Sequence, residues 1–215
     1  MPVKAGFTYQ QWNWTLADIQ AYGFPLTVGA IRVPSDGKTH LTFELLESDN
    51  PSLSIPFSER TGREITIDWG DGTSGIYTTS PATHTYAAGG RYVVRADAND
   101  YFRPYQLTSL TAVSLIKADL GTRFAMNDPV FNSYYSLEEV SIPQNVTYID
   151  SAAFQYCCSL RGVTLPSPFG EVSNSAFNVC PSLQCVSLPK NTGTIVSLLK
   201  LPLLHRKKNP YVTIV

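Results

Sequence analysis

The sequence has little charge, no long apolar run and few of the residues that favour helices. Charged residues make up 15% of its 215 residues, against about a quarter in an average soluble protein. The net charge of −1 lacks the basic excess that general nucleic-acid binding needs, so we expect no nucleic-acid partner. No run of about eighteen apolar residues occurs, so we expect no membrane insertion. With 15 prolines, 14 glycines and 12% aromatic residues, the composition favours strands and turns.

Motifs for catalysis and metal binding are also missing. The sequence contains no G-x-S-x-G, H-E-x-x-H or C-x-x-C, and its three histidines, His40, His84 and His205, are scattered. We therefore expect a protein that is not an enzyme and that has no cofactor and no metal. No apolar segment follows Lys4, so we expect no signal peptide in this sequence, although a form cleaved from its signal would look the same.

A repeat of 23 residues dominates the C-terminal half. Its copies begin at Phe131, Phe154 and Phe177. Leu-x-x-Val-x-Leu places alternate apolar side chains on one face of a short strand, and the following proline ends the strand. One copy cannot bury this face alone, so stacked copies are expected to share one core. The recurring positions are Leu137/Leu160/Leu183, Val140/Val163/Val186, Ile142/Leu165/Leu188, Pro143/Pro166/Pro189 and Ile149/Val172/Ile195.

Two less regular copies flank these three. Upstream, we align Leu110, Val113 and Leu115 with the Leu, Val and Ile positions of the first full copy. Downstream, Val212 and Ile214 align with the strand of the third copy. The alignment predicts about five strand rungs within residues 104–215.

The pattern F-x-x-C-x-S-L-x-x-V-x-L-P resembles the BspA-type leucine-rich repeat of bacterial surface proteins. Residues 131–199 match this pattern closely, and residues 104–130 and 200–215 match it loosely. The resemblance implies a short solenoid with parallel strands and a role in adhesion or ligand binding.

The middle residue of each predicted strand faces away from the core. These small hydroxyl side chains form either a polar strip that contacts a glycan or a protein, or only an exposed sheet face with high β-propensity. Polar residues lie beside the strip. The candidate ligand-binding residues here are Ser114, Ser141, Thr164, Ser187 and Thr213 on the strip, with Glu139, Arg161 and Gln184 beside it.

Residues 35–103 show a different pattern, with alternating Ile65, Ile67 and Trp69 as expected for a half-buried strand. The strings D-W-G-D-G, H-T-Y and G-x-Y-x-V resemble a polycystic-kidney-disease (PKD) type domain. The resemblance implies an immunoglobulin-like β-sandwich that acts as an extracellular spacer or binding module. Asp68 and Asp71 permit two interpretations, calcium ligands or caps of turn amides, and we favour the caps because no further oxygen ligands are close in sequence.

Residues 1–34 belong to neither pattern. The capping box from Thr15 to Asp18 predicts one short helix over 16–22. An aromatic cluster including Trp12 and Trp14 either docks on the sandwich, which we favour, or serves as a platform for a partner or sugar. Trp12 and Trp14 are therefore further candidate ligand-binding residues.

Cys157 and Cys180 are equivalent positions of successive copies and should lie in one core layer. Buried thiols are the favoured interpretation, and a disulfide between adjacent rungs is the alternative.

Together these patterns predict a mainly β protein, an immunoglobulin-like β-sandwich joined to a short leucine-rich-repeat solenoid with parallel strands. The expected function is non-enzymatic binding or adhesion at a bacterial cell surface, outside the cell, with a protein or glycan ligand. The alternative is a bacteriophage virion or tail-fibre component, which needs no export signal. The sequence leaves the oligomeric state open.

Overall fold

The computed structural model describes residues 4–12, 30–46, 51–57, 64–97, 113–122, 124, 126, 130–173, 175–187, 189 and 192–195. These residues form β-strands and turns and contain no helix, so the predicted mainly β class is confirmed for them. No helix in the described ranges is long and apolar enough to span a bilayer. The predicted helix over 16–22, Trp14, Leu110 and the predicted last strand with Val212, Thr213 and Ile214 lie outside the described residues.

The N-terminal part consists of short antiparallel pairings. Strands β1 and β2 pair with each other and are called the N-terminal ribbon below. Strands β3, β8, β5 and β6 are hydrogen-bonded in that order, and β4 pairs with β7. The bounds are β1 (Phe7–Trp12), β2 (Ala30–Pro34), β3 (Thr39–Leu45), β4 (Ser52–Ile55), β5 (Ile65–Asp68), β6 (Ser74–Tyr77), β7 (Ala82–Thr85) and β8 (Gly90–Ala96).

Each 23-residue copy contributes one strand to each of two parallel ladders. The first ladder contains β10, β12 and β14, and Val163 of β12 lies opposite Val186 of β14. The second contains β11, β13 and β15, in which Val172 lies between Ile149 and Ile195. The predicted columns of apolar residues are therefore confirmed where the structure describes them. The bounds are β10 (Glu139–Ser141), β11 (Tyr148–Ile149), β12 (Gly162–Thr164), β13 (Phe169–Val172), β14 (Cys185–Ser187) and β15 (Thr192–Ile195).

The phenylalanines that begin the copies form a stack inside the repeat region. The ring centroids of Phe131 and Phe154 are 5.4 Å apart, and those of Phe154 and Phe177 are 5.2 Å apart, with nearly parallel planes. All three rings are buried. Backbone bonds join the same turns, because the N–H of Phe131 donates to the carbonyl of Ala153 at 2.9 Å. The stacked rings and the backbone hydrogen bonds between turns thus recur with the same period.

Strand β9 (Val113–Asp119) joins the two halves into one sheet. It pairs in parallel with β10 and antiparallel with β3, which gives an eight-stranded sheet in the order β14-β12-β10-β9-β3-β8-β5-β6. The first ladder is therefore a direct extension of the antiparallel strands.

The predicted register of the upstream copy is wrong. Val140 lies opposite Ala118, and not opposite Val113. The true first rung is Leu115-x-x-Ala118-x-Leu120, whose three apolar side chains are buried. Alanine at the valine position keeps the alternation of the strand but removes most of the apolar signal by which the copy could be found.

The chain makes a close backbone contact directly after β9. A Cβ atom on Gly121 would collide with the carbonyl oxygen of Gly37, in the turn between β2 and β3. The N–H of Gly121 donates to the buried hydroxyl of Thr39 at 3.0 Å, and the N–H of Thr122 donates to the Gly37 carbonyl at 3.1 Å. Glycine at 121 therefore permits the approach that seats the turn against the end of β9.

Candidate functional site

On the predicted polar strip, Ser141 is engaged within the protein. Its hydroxyl donates to Asp119 at 2.8 Å, and Asp119 is only 5% exposed. Lys117 reaches the same carboxylate at 3.0 Å and Glu139 at 3.7 Å. Burial by itself would lower the pKa of Lys117, but the hydrogen bond to Asp119 and its charge raise that pKa overall. This end of the strip is a closed network of opposite charges.

The other members of the strip do not form one continuous row. Because Asp119 lies opposite Ser141, Ser114 falls outside the predicted register, and its hydroxyl instead accepts a bond from Ser136 at 3.4 Å. Thr164 is half-buried. Ser187 was expected on the exposed face, and this prediction is wrong, because the residue is only 2% exposed. Its side chain is short and lies beside Thr164 of the neighbouring strand. Thr213 lies outside the described residues.

Next to the strip, a polar column precedes the strands. Its members are Glu138, Arg161 and Gln184, joined by backbone bonds from the Arg161 N–H to the Glu138 carbonyl and from the Gln184 N–H to the Arg161 carbonyl. Arg161 also pairs with the Glu138 carboxylate at 2.9 Å, and such exposed pairs contribute at most about 1 kcal/mol. Glu139, the residue named from the sequence, is exposed on the adjacent position. The column therefore presents an acidic, a basic and an amide side chain in successive copies.

The N-terminal ribbon crosses the ends of β10 and β12. The Gln10 side-chain oxygen accepts a bond from the Gln144 N–H at 2.9 Å, and the Gln11 side-chain nitrogen donates to the Ser167 carbonyl at 2.5 Å. Gln144 and Ser167 are equivalent positions in successive copies. A register shift between Tyr9 and Gln11 accompanies these contacts, and a bulge of this kind re-aims side chains.

The described contacts of residues 1–34 include the repeat region, through the two glutamines. The Phe7 ring also lies 5.4 Å from the ammonium of Lys117 in β9. Docking of the segment on residues 35–103 stays a prediction, because residues 13–29 lie outside the described residues. Of the two candidate tryptophans, Trp12 is 44% exposed and packs edge-on against Tyr9, and Trp14 lies outside the described residues.

The turns that begin with the stacked phenylalanines form a second exposed surface, which we call the turn face and define as residues 131–136, 154–159 and 177–182. It contains no Asp, Glu, Lys, Arg or His. Its large exposed side chains are Tyr135, Tyr156 and Val179, with exposed fractions of 57%, 39% and 39%. This surface was not predicted from the sequence, although the lack of charge in the three aligned segments is visible there.

The acidic residues of the D-W-G-D-G segment cap turns, as favoured from the sequence. Asp68 accepts a bond from the Gly70 N–H, and Asp71 accepts bonds from the N–H and hydroxyl of Thr73 at 2.9 and 2.6 Å. His84 contacts the second Asp71 oxygen at 2.7 Å and stacks on Trp69. The Thr73 hydroxyl and His84 lower the pKa of Asp71 to about 2. Within the described ranges, no cluster of three or more His, Cys, Asp or Glu could hold a metal ion.

The repeat-equivalent cysteines are free buried thiols. The thiol of Cys157 donates to the Phe131 carbonyl, and that of Cys180 donates to the Phe154 carbonyl, both at 3.0 Å. Burial raises the pKa of both thiols, that of Cys180 to about 12. The cysteines therefore act as small core residues that tie successive turns together.

Comparison with known proteins gives a family match in the repeat region. Residues 125–198, roughly a third of the chain, match the family described as BspA type leucine rich repeat region, in six copies. Repeats of this type are commonly protein-binding domains of bacterial surface or secreted proteins. No curated protein and no solved structure matched the chain.

Proposed function

We propose that the protein is a non-enzymatic binding or adhesion protein of a bacterial cell surface, and that its repeat region is a short solenoid that recognises a protein or a glycan. The observation that carries this proposal is the match of residues 125–198 to BspA-type repeats, supported by the regular register of the two parallel ladders. Such ladders display rows of equivalent side chains over an extended surface, which suits recognition of a large partner.

We further propose that residues 35–103 form a PKD-like sandwich that serves as a spacer. Leu41 of β3, Leu53 of β4 and Val94 of β8 are fully buried in one apolar cluster, so the antiparallel strands of the eight-stranded sheet and the β4–β7 pair both contribute to it. Tyr86 is buried at the end of β7 and donates its hydroxyl to the Trp69 carbonyl at 3.0 Å. This bond joins the segment after β7 to the segment after β5, as a compact sandwich requires.

Binding by the full chain tests the proposed function. Immobilised protein is exposed to a glycan array and to a panel of extracellular proteins, with heat-denatured protein as the unfolded control. We expect saturable binding to at least one ligand by the wild-type protein and none by the control. Absence of saturable binding on both panels would contradict the proposal.

The location of the protein distinguishes the two alternatives that the sequence left open, a bacterial cell-surface protein and a phage component. Antibodies against the protein should label intact cells of the source bacterium. Labelling of purified phage particles, with none on intact cells, would assign the protein to a virion instead.

A further inference from the structure

We propose that the turn face is the ligand-binding surface of this protein and that its ligand is a neutral glycan. This inference rests on the proposed binding function and specifies both its site and the chemical class of its ligand. It is carried by the composition of the turn face, by its backbone conformation and by the contacts that engage the competing strand face.

Hydrogen bonds align the three turns into one surface. The N–H of Ser133 donates to the Gln155 carbonyl at 2.7 Å, and that of Tyr156 donates to the Asn178 carbonyl at 2.9 Å. The N–H of Ser159 donates to the Tyr135 carbonyl at 3.1 Å. Adjacent rungs of such a ladder are about 4.8 Å apart. The exposed side chains of successive copies therefore lie within the span of a few sugar rings.

The backbone of the turn face is left-handed at one position in each copy. Ser133, Tyr156 and Val179 occupy equivalent positions with φ of 65°, 61° and 57°. A left-handed conformation costs about 1–2 kcal/mol in a residue other than glycine, and it is least suited to bulky or β-branched side chains. Tyr156 and Val179 offset little of this cost by burial, because both are 39% exposed. Ala152 and Ser175, two residues before the next phenylalanine, share this conformation with φ of 59° and 64°. Backbone strain is common at ligand-binding positions, and among the left-handed residues that the structure describes, Tyr156 and Val179 combine it with a large exposed side chain.

The chemistry of the turn face matches an uncharged, hydroxyl-rich ligand. Each copy places a half-buried carboxamide directly after its phenylalanine, at Asn132, Gln155 and Asn178. Asn132 is bonded within the surface, because its nitrogen donates to the Gln155 side-chain oxygen at 3.2 Å and its oxygen accepts from the Ser133 hydroxyl at 2.7 Å. The row therefore presents an ordered set of amide groups, and amides both donate and accept hydrogen bonds as sugar hydroxyls require. The exposed rings of Tyr135 and Tyr156 offer flat amphipathic surfaces with few rotatable bonds. No ionic group is present to select a charged partner.

The strand face is less suited to a large ligand. The ribbon bonds to the backbone of Gln144 and Ser167 just beyond the ends of β10 and β12, Ser141 is bonded to Asp119, and Ser187 is buried. Among the exposed side chains that remain beside this face, Glu139 and Arg161 are charged, which does not suit a neutral ligand.

The test compares variants of the full chain on an array of neutral and acidic glycans at about 0.1 M and about 1 M salt, since high salt screens exposed charges. We expect binding to neutral glycans that changes less than twofold with salt. Tyr135→Ser and Tyr156→Asn should each weaken binding by tenfold or more, while Tyr135→Phe keeps most of it. Tyr156→Asn also relieves the left-handed strain, so it should melt no lower than wild type, and lost binding cannot then be ascribed to unfolding.

Ile76→Ser is the matched control, because Ile76 is an exposed apolar residue on β6, remote from the turn face in the sheet order, and its replacement should leave binding unchanged. Loss of binding in Arg161→Gln, with binding retained in both tyrosine variants, would place the ligand on the strand face and overturn this inference alone. Binding to proteins but to no glycan would overturn the ligand class. Binding to neither would overturn this inference together with the proposed function.

Discussion

At the scale of single residues, the copies differ in residue type at a position where the backbone is left-handed. The second residue after each phenylalanine is left-handed in all three copies, yet it is Ser133, Tyr156 or Val179 and never glycine. Valine is the least suited of the three, because its β-branch crowds the backbone at positive φ. The stacked phenylalanine below each turn and the bonds between turns hold this conformation in place.

Replacing Val179 should therefore stabilise the protein. Val179→Asn is expected to raise the free energy of unfolding by about 1 kcal/mol, because asparagine tolerates the left-handed region. The midpoint of thermal unfolding should rise by about 2–4 °C. Thr147→Asn is the control, since Thr147 is exposed and not left-handed, and it should show no gain. A fall in the melting temperature of Val179→Asn would show that the valine side chain contributes more by packing than the strain costs.

Asp71 makes stability depend on pH in the acid range. Its folded-state pKa of about 2 lies below the ordinary value of 3.8 because the Thr73 hydroxyl and His84 stabilise the carboxylate. A depressed pKa adds stability that is complete above the ordinary value and is lost as pH falls through the folded value. The melting temperature of wild type should thus decline between about pH 4 and pH 2, and Asp71→Asn should show a shallower decline over that window. An equal decline of the melting temperature with pH in the two proteins would show that Asp71 does not cause the loss of stability.

At the scale of elements, β9 and the N-terminal ribbon determine how the repeats begin. Strand β9 serves two partners, since it pairs antiparallel with β3 and in parallel with β10. The ribbon then contacts the next two copies at equivalent positions through Gln10 and Gln11. These elements give the first copies neighbours that a free end of the ladder would lack.

The ribbon should loosen when one of its contacts is removed. Gln11→Ala eliminates the bond to the Ser167 carbonyl, and a hydrogen bond of this kind contributes about 1 kcal/mol. Amide hydrogen exchange in β1 should then be about fivefold faster, while exchange in β5 stays the same. Thr8→Ala, an exposed change on the same strand, should leave both rates unaltered. Unchanged exchange in Gln11→Ala would mean that the glutamine contact does not hold the ribbon.

The valine column should not accept a charge. Val163 is buried between β10 and β14, so Val163→Asp places an unpaired carboxylate in the core and should lower the free energy of unfolding by at least about 3 kcal/mol. Urea unfolding monitored by circular dichroism measures the loss. Thr164→Asp, one residue along and half-buried, should be much milder. Equal destabilisation by both variants would contradict the inward placement of the valine.

The sequence predicted the strands of those repeat copies that keep apolar residues at the recurring positions. The valine and phenylalanine columns were predictable because period and residue type agree in three copies. The rung at Leu115–Leu120 was misplaced because Ala118 carries little hydrophobic signal. The burial of Ser187 and the ribbon contacts could not be predicted, because they depend on packing between segments distant in sequence. The turn face was not predicted, because its distinguishing feature in the sequence is the absence of charged residues and not the presence of reactive ones.

At the scale of the whole molecule, one sheet runs through both halves. The eight-stranded order from β14 to β6 includes every strand of the first ladder and four antiparallel strands. The buried apolar cluster is likewise continuous, extending from Leu41 to Val186. A shared sheet and a shared core couple the two halves energetically, so neither is expected to unfold by itself.

Calorimetry tests this coupling. The full chain should give one unfolding transition whose calorimetric and van't Hoff enthalpies agree. Leu160→Ala, in the centre of the repeat core, should cost about 3 kcal/mol and lower the temperature of the whole transition. Two transitions, of which only one moves in this variant, would show that the halves unfold independently.

The constant length of the copies has a consequence for how far the protein reaches. Since each 23-residue unit adds one rung to both ladders, an in-frame duplication of residues 154–176 would lengthen the repeat region by about 4.8 Å and leave the junction between β9 and β3 untouched. Duplications of one copy can therefore lengthen the repeat region in equal increments, without changes to the residues on either side of the duplicated copies.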